Sequence, residues 1–560
     1  MKKIGQFFKT NWKKLLVLIV VIAVIAGIVY LGFRAYDKYK DNLLNDPSWL
    51  SQNISLEKNS EGVYEVKKDE KISIFTINYQ DVIEKKIEEL KDQADYSLDS
   101  PLIIYNPYGT GNLSYYIYYT SDNDSKLDYT IKTDGYSDFK ETLTSDLNKT
   151  KEYQLIGFVP GEVNTLTLIE TGSNGDEKEK SYTITTPKIT GDIDSKLEVV
   201  DGNESADELT DGLYAVLGHD KNYNSNIYLY DNEGVLREEF VLDSYRADRI
   251  IFDGNYMYYA YNKKGIVKVN KFGKIEKFYD LGNYTMHHDM VYDEDNNRFV
   301  ILVNENGADT IEDAIITVDL DSGNVEKILD MKDLLPEFYL NAVKPEGKNT
   351  YGGYELDWIH LNSLSLIGND IVLSSRELST IIYISNAYTD PSVKYLLTDE
   401  SVTEDTSYGD LLYEKVGDFV SQAGQHSITY YTDDDLDDGE YYLYMFNNNY
   451  QGARTRPNFD WSNYPGIGTY NEGETSYFYQ YKVNENDKTY ELVKSFSIPY
   501  SSIVSDVEIL DDDGNIVVGS GKDNSFGEYD NDGNLIRQFN YNSKKYAYRV
   551  FKYKFNNLFD

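Results

Sequence analysis

Residues Asp357 to Arg376 read DWIHLNSLSLIGNDIVLSSR, and the fold of the chain follows from how this stretch is parsed. His360, Asn362, Leu364 and Leu366 alternate at period two, Gly368-Asn369-Asp370 supplies a turn, and Ile371, Val372 and Leu373 lead back to Ser374, Ser375 and Arg376. Alternation on both sides of such a turn predicts a β-hairpin. A hairpin sets the start of its first strand beside the end of its second. His360, Asn362 and Arg376 are therefore expected at one end, a set suited to holding an anion.

A second hairpin, TIIYISNAYTDPSVKYLL from Thr380, follows at once, and this two-hairpin unit recurs along the chain. Outer hairpins begin at Asn226 (NIYLYDNEGVLREEF), Gly265 (GIVKVNKFGKIEKFY), Ala314 (AIITVDLDSGNVEKIL), Thr380, Tyr479 (YQYKVNENDKTYELVKSF) and Ser525 (SFGEYDNDGNLIRQF). Each is preceded by another pair, near Leu213, Asp248, His288, Asn362, His426 and Ser505. Stacked repeats of this kind dictate architecture, and six four-stranded units predict a six-bladed β-propeller over residues 205–560. The pair near Leu213 is short, so the ring needs a closing strand, for which KYAYRVFKYKF (Lys545 to Phe555) is the candidate.

Upstream, residues 53–195 carry short strands such as GVYEV, KISIFTINY, LIIYNPYG, NLSYYIYYTS and DYTIKTDG, separated by turns. This spacing predicts an immunoglobulin-like β-sandwich, with a short inserted helix over Asp81 to Ala94, where DVIEKKIEELKDQA has helical periodicity. Residues 34–52 are polar and read as a stalk. Leu15 to Phe33 is an uncharged run about as long as a hydrocarbon core. Lys2, Lys3, Lys9, Lys13 and Lys14 in the tail 1–14 place the N-terminus in the cytoplasm. The expected organisation is an uncleaved N-terminal transmembrane helix, in preference to a cleaved signal peptide, with the remainder of the protein outside the cell membrane.

Composition agrees with an all-β protein: 54 Tyr and 22 Phe among 560 residues, with 39 Gly against 11 Pro. A formal charge of −41 argues against a nucleic-acid partner, whose phosphates require a basic face. With no cysteine there are no disulfides, thiolate metal sites or cysteine nucleophiles. The acidic runs DEDNN (from Asp293), DDDLDDGE (from Asp433) and DNDGN (from Asp530) lack the spacing and terminal Glu of a calcium loop and read as hairpin turns.

Of five histidines (His219, His287, His288, His360 and His426), three are drawn together by the repeat. Alignment on Met290, Leu364 and Ile428 puts His288, Asn362 and His426 at equivalent places, with His360 two residues upstream on the same face. First strands line the central channel of a propeller, so these residues and Arg376 should share one mouth. His287 falls on the opposite face and is assigned a structural part. Arginine forks onto oxyanions, and imidazole can donate, accept a proton or attack near neutral pH. His288, His360 and His426 also number enough for a metal, but Arg376 beside them would repel a cation, and no metal or other cofactor is expected.

HHDM (His287 to Met290), DWIHLNSL with SSR (Asp357 to Arg376) and GQH (Gly424 to His426) resemble the motifs of bacterial PAPS-independent arylsulfotransferases (aryl-sulfate sulfotransferases). PLIIYNPYGTGNLSYYIYY (from Pro101) and GFVPGEVNTLTL (from Gly157) resemble that family's N-terminal β-sandwich. The resemblance implies a six-bladed propeller in which His426 is a nucleophile taking a sulfuryl group from an aryl sulfate. The resulting sulfohistidine would yield it to a phenolic acceptor in a ping-pong cycle. His288, His360 and Arg376 would be catalytic, holding the sulfuryl oxygens or moving the phenol proton, and Asn362 would bind substrate. Oligomeric state is left open, a homodimer included. Two other readings stand beside it: a non-catalytic extracellular propeller that binds a sulfated or phenolic ligand or a protein partner, and a metal-dependent sulfatase or phosphatase.

Overall fold

The computed structural model describes residues 30, 42–189, 193–218, 226–349, 352–463, 467, 475–543 and 545–555. Apart from Tyr30, the predicted transmembrane run and the basic tail before it lie outside these residues, as do His219 and the first part of the stalk. Among the described residues no helix is long and apolar enough to cross a membrane.

The rest of the predicted stalk is not free chain. Asp46 caps a short helix, Pro47–Asn53, by accepting from the Trp49 amide at 2.8 Å, and Pro47 at its first turn is preorganised for that start. Leu50 of this helix is fully buried against Tyr79, Ile83 and Ile87. Those three belong to a second helix, Ile77–Lys91, which begins four residues before the predicted one. The expected strand KISIFTINY is accordingly absent: Thr76 caps the Tyr79 amide, and Tyr79, Val82, Ile83, Ile87 and Leu90 then repeat at helical spacing on one buried face.

Two long strands, Tyr115–Thr133 and Phe139–Leu155, organise the N-terminal β domain. Their pairing shifts register between Thr120 and Ser125. Leu102–Tyr105 pairs with the first half of Tyr115–Thr133 and Val163–Gly172 with its second half. NLSYYIYYTS and DYTIKTDG are therefore parts of one bent strand. Seven strands form one continuous sheet, in place of the two separate sheets of a simple sandwich, curled about Ile117, Tyr119, Leu127, Tyr129, Leu155 and Leu166. This domain leans on the first two blades, where Asn112 bonds both the backbone and side chain of Glu239 and Lys274 pairs with Glu84 at 2.9 Å.

Six sheets follow, each a propeller blade. Blade 1 is closed by the C-terminal strand: Arg549–Tyr553 pairs with Leu213–Leu217 as its innermost member, which explains why the first repeat looked short. The stretch near Leu213 is a single strand, and its hairpin partner comes from the far end of the sequence. Blades 2, 3 and 4 start at Ile250, Tyr284 and Leu361, and blades 5 and 6 at His426 and Asp506. Two short strands widen the rim: Glu414–Val416 on blade 5, and Glu198–Asp201 on blade 6.

Side chains on one innermost strand hold the backbone of the next. The Leu364 amide donates to Asp289 Oδ2 (3.3 Å), Ile428 to Ser363 Oγ (2.8 Å), Val507 to Ser427 Oγ (3.4 Å) and Val550 to Asp506 Oδ1 (2.9 Å). This ladder fixes Met290, Leu364, Ile428, Val507 and Val550 as equivalent positions. His288, Asn362, His426, Ser505 and Tyr548 each stand two residues before one of them.

Candidate active site

The innermost strands enter the channel mouth through irregular backbone. Register shifts fall between Met286 and Met290, between Leu361 and Ser363, and between His426 and Thr429. Bulges re-aim side chains away from strict alternation, and they are common beside active sites. His288 (φ 60°), His360 (φ 49°) and Glu312 (φ 60°) all adopt left-handed backbone, which costs about 1–3 kcal/mol each for residues with a Cβ. Surrounding contacts must hold them there.

The mouth opens into a cavity of about 420 Å³ that His288, His360, Arg376 and His426 all line. Asn362 does not line it. Its side-chain amide donates to the Gln425 carbonyl at 2.7 Å, and its oxygen accepts from Ser363. The same Gln425 carbonyl also accepts from Ser374, while the Gln425 side chain donates back to Ser374 Oγ and Ser375 O in blade 4. Asn362 thus ties the peptide just before His426 to the neighbouring blade, and the structure gives it no direct contact with the cavity. His287 is buried with neither ring nitrogen hydrogen-bonded, edge-on to His288 at 5.1 Å between ring centres.

His426 is held in one tautomer. Its Nδ1 lies 3.0 Å from the Gly424 carbonyl and 2.8 Å from Asn448 Oδ1, both acceptors, so Nδ1 carries the proton and the Nε2 lone pair is free. Asn448 is in turn oriented by donating to Ser501 O (2.7 Å) and Val504 O (3.1 Å). Gly424 can aim its carbonyl this way because φ is +64° there, and an added Cβ would come within 3.2 Å of the Tyr450 carbonyl. Burial, then the nearby Arg376 charge, push the His426 pKa well below its ordinary value. The ring is neutral at physiological pH, with Nε2 unprotonated.

His360 is the opposite case. Burial and Arg376 work against its protonation, but the carboxylates of Asp357 and Glu312 prevail and lift its pKa to about 9. Its Nδ1 lies 2.7 Å from Asp357 Oδ2 and is also paired with Glu312 Oε2. His288 touches the other oxygen of that carboxylate, with Nε2 3.1 Å from Glu312 Oε1, while its Nδ1 meets Tyr548 Oη at 2.7 Å. Burial nonetheless brings the His288 pKa down to about 4, so it stays neutral. Glu312, though buried, is held well below the usual carboxylate range by the two imidazoles. One carboxylate therefore joins two histidines of opposite protonation state.

Arg376 completes the set. Its nearest carboxylate, Asp357, is 3.9 Å away and its backbone amide donates to the His360 carbonyl, which fixes the base of the side chain. The guanidinium keeps its planar fork for a ligand. Below the mouth, Asp289 binds Arg549 (2.8 Å) and Arg249 (3.2 Å), and Arg549 also donates to the Asn362 carbonyl, forming a rigid floor. Two overlapping sets, His287–His288–Glu312 and Glu312–Asp357–His360, have ligand-type atoms within 4.8 Å of one another. In the second set the His360 proton already bridges the carboxylates. A cation there would have to displace that proton beside Arg376.

Sequence reasoning passed over Glu312, Asp357, Asn448 and Tyr548 as site residues. Tyr548 had a usable signal, since extending the repeat into the closing strand puts it at the position of His288 and His426. Asn448 follows a strand in the run NNN, and Glu312 precedes one; nothing in spacing marks either.

The profile of the arylsulfotransferase (ASST) family matches residues 198–556, and that of the arylsulfotransferase Ig-like domain matches residues 102–187. No curated protein sequence matches the chain. Among solved structures, a putative 6-phosphogluconolactonase from Bacteroides fragilis is similar at 10% identity and TM-score 0.34, covering 77% of this chain and 99% of its own. Apo AztD from Citrobacter koseri is similar at 9% identity and TM-score 0.28, covering 76% and 98%. Likeness at that level carries no argument about chemistry. The family match spans the whole propeller, and on it the chain belongs to the arylsulfotransferase family, enzymes that move sulfuryl groups between aryl sulfates and phenols without PAPS.

Proposed function

We propose that the protein transfers a sulfuryl group through a covalent sulfohistidine on His426. The observation that carries this is the doubly anchored Nδ1 of His426, which leaves a neutral Nε2 lone pair at a cavity wall shared with Arg376. In the first half-reaction Nε2 attacks sulfur, the bond from sulfur to the aryl oxygen breaks, and its electron pair leaves on the phenolate. His360, cationic with a pKa near 9, gives that oxygen its proton. A donor with a pKa close to that of a phenol, ~10, is well matched to this task. Arg376 spreads its donors over the sulfuryl oxygens as charge builds on them. The second half-reaction runs in reverse: neutral His360 takes the acceptor phenol's proton, the phenol oxygen attacks sulfur, and the bond to Nε2 breaks. His288 stays neutral and holds Glu312 in place.

The test uses a chromogenic aryl sulfate, with and without an acceptor phenol, followed by mass analysis of the peptide containing His426. A burst of phenol without acceptor, one sulfuryl group on that peptide, and its discharge on adding acceptor are expected. If His426→Ala keeps full turnover, the mechanism is wrong.

We further propose that the chain is anchored in the cell membrane by residues 15–33 with the propeller outside. The uncharged run and the lysines before it support this reading. Release of the full-length protein by alkaline carbonate washing would refute it.

A further inference from the structure

A buried carboxylate stands directly after Arg376, and the transfer steps make no use of it. Glu377 Oε1 accepts two bonds from one residue of the neighbouring blade's connection, the Thr455 amide at 2.5 Å and the Thr455 hydroxyl at 2.8 Å. Thr455, itself buried, also accepts at its carbonyl from the Val343 amide at 2.8 Å. Three connections therefore meet here. Glu377 belongs to the turn between Asp370–Ser375 and Thr380–Ser385 of blade 4, and Thr455 to the long connection after Glu440–Asn447 of blade 5. Val343 belongs to the connection that leads from blade 3 to Asp357 and His360.

The turn that carries Glu377 touches the arginine, the acid and an anchor of the nucleophile. It closes through the Ser379 amide on the Arg376 carbonyl at 3.2 Å, with Ser379 in left-handed backbone (φ 49°). The Arg376 amide donates to the His360 carbonyl at 3.1 Å. Ser379 Oγ accepts from the amide of Gly424 at 3.1 Å, and the Gly424 carbonyl in turn fixes the His426 tautomer. On the far side of Glu377, the segment that ends at Thr455 begins at Asn448, the second acceptor on His426 Nδ1. Left-handed backbone in a residue with a Cβ persists only where surrounding contacts over-determine it, and Glu377 is the side chain of this turn that reaches across to blade 5. Burial raises the Glu377 pKa to about 7, with Arg376 opposing the rise, so its bonds form in a desolvated site, where they are strongest.

Resting on the sulfotransfer reading, we propose that Glu377 is a positioning residue for transfer. Its two bonds clasp the Arg376–Ser379 turn to the Asn448–Thr455 segment and so hold Arg376 in register with Nε2 of His426. The clasp works through an acceptor oxygen, Oε1, which serves in either protonation state. Misplacing a catalytic group by about 1 Å costs on the order of 10²-fold in rate, and slippage of this turn would move the base of Arg376 by such an amount.

The experiment follows stopped-flow release of nitrophenolate from nitrophenyl sulfate by full-length enzyme without acceptor. Burst amplitude counts competent sites, and the burst rate constant reports sulfuryl capture by His426. In Glu377→Met the rate constant should fall at least about tenfold with the amplitude per mole of enzyme retained, while Glu377→Gln, which keeps an acceptor oxygen, should stay within about threefold of wild type. A residue that served folding alone would lower the amplitude and leave the rate constant of the surviving sites unchanged. Should Glu377→Met fail to fold, Thr455→Val decides: it removes the hydroxyl bond, keeps the amide bond and should slow the burst at least about threefold, with Thr455→Ser restoring it. A smaller slowing in the deciding variant, a loss confined to amplitude, or a Glu377→Gln enzyme slowed as much as Glu377→Met overturns the clasp, while a wild-type burst leaves sulfotransfer intact. Absence of a wild-type burst, with no sulfuryl group on the peptide containing His426, overturns the sulfohistidine reading and the clasp with it.

Discussion

Replacing Glu312 with Gln tests the proton inventory of the site most directly. The His360 pKa is raised from 6.5 to about 9, which corresponds to roughly 3 kcal/mol in favour of the imidazolium. Two carboxylates supply it, against burial and Arg376. Removing the charge of one withdraws on the order of half the favourable interaction, so the His360 pKa should fall by about 1–2 units. The group is raised in the folded protein, so its acid form is complete at neutral pH and is lost as pH rises through about 9. In Glu312→Gln that loss begins nearer neutrality. Gln keeps the shape and an acceptor oxygen, so His288 and the backbone are perturbed little.

The assay is kcat/KM for donor cleavage across pH 6 to 10 with two donors, a nitrophenyl sulfate and unsubstituted phenyl sulfate. The nitrophenolate leaves readily without a proton, whereas phenolate needs one. For phenyl sulfate the alkaline limb should move down by about 1–2 units in the variant. At pH 8.5 the loss should reach about 10-fold, with a much smaller loss for the nitrophenyl donor. Stability should follow the same window, because the His360 contribution is fully present below pH 6.5 and disappears as pH rises through about 9. The difference in Tm between wild type and variant should therefore shrink above pH 9. An alkaline limb at the same pH in both proteins, or equal losses with both donors, would refute the assignment of His360 as the acid.

Arg376→Met should lower kcat/KM for the donor by about 10²–10³-fold, the usual loss for one oxyanion donor, and change Tm little, since the nearest carboxylate to the guanidinium is 3.9 Å away. Asn448→Leu leaves Nδ1 of His426 with the Gly424 carbonyl alone and removes a donor from the Ser501 and Val504 carbonyls. Steady-state kinetics should show kcat down on the order of 10²-fold at nearly constant KM, and denaturant melts a stability loss of about 1–3 kcal/mol. The donor KM should fall between about 0.01 and 0.15 M salt as the long-range acidic field is screened; a KM that rises throughout would show that the net charge of −41 does not reach the mouth.

Much of this was legible because the propeller repeats its innermost strands in one register. Met290, Leu364 and Ile428 are apolar at matching places, and the inter-blade bonds from Asp289, Ser363 and Ser427 use that same register. Period-two reasoning faltered where the backbone leaves period two. Bulges at the channel mouth turn Asn362 toward Gln425 and away from the cavity. Glu312 and Asp357 come from connections with no periodicity, and left-handed backbone at Glu312, His288 and His360 has no mark in residue type, because none of them is glycine. In the N-terminal domain one capping threonine, Thr76, outweighed the strand-like composition of IFTINY.

The seam of the ring adds a constraint that no single repeat contains. Tyr548 holds His288, and Arg549 holds both Asp289 and the Asn362 carbonyl. Both precede or lie on the strand that closes blade 1 against Leu213–Leu217. Ending the chain at residue 545 would thus remove the closing strand, one wall of the cavity and the partner of a site histidine together. Tm and sulfuryl transfer should be lost in parallel there, which can be read by calorimetry and phenol release on the same sample. At Arg376, by contrast, the two should separate, because its nearest carboxylate is 3.9 Å away. A truncated protein that kept a cooperative melt yet lost only activity would mean that the other five blades stand without the closure, contrary to the ladder of bonds that runs from blade 3 through blade 6 to the closing strand.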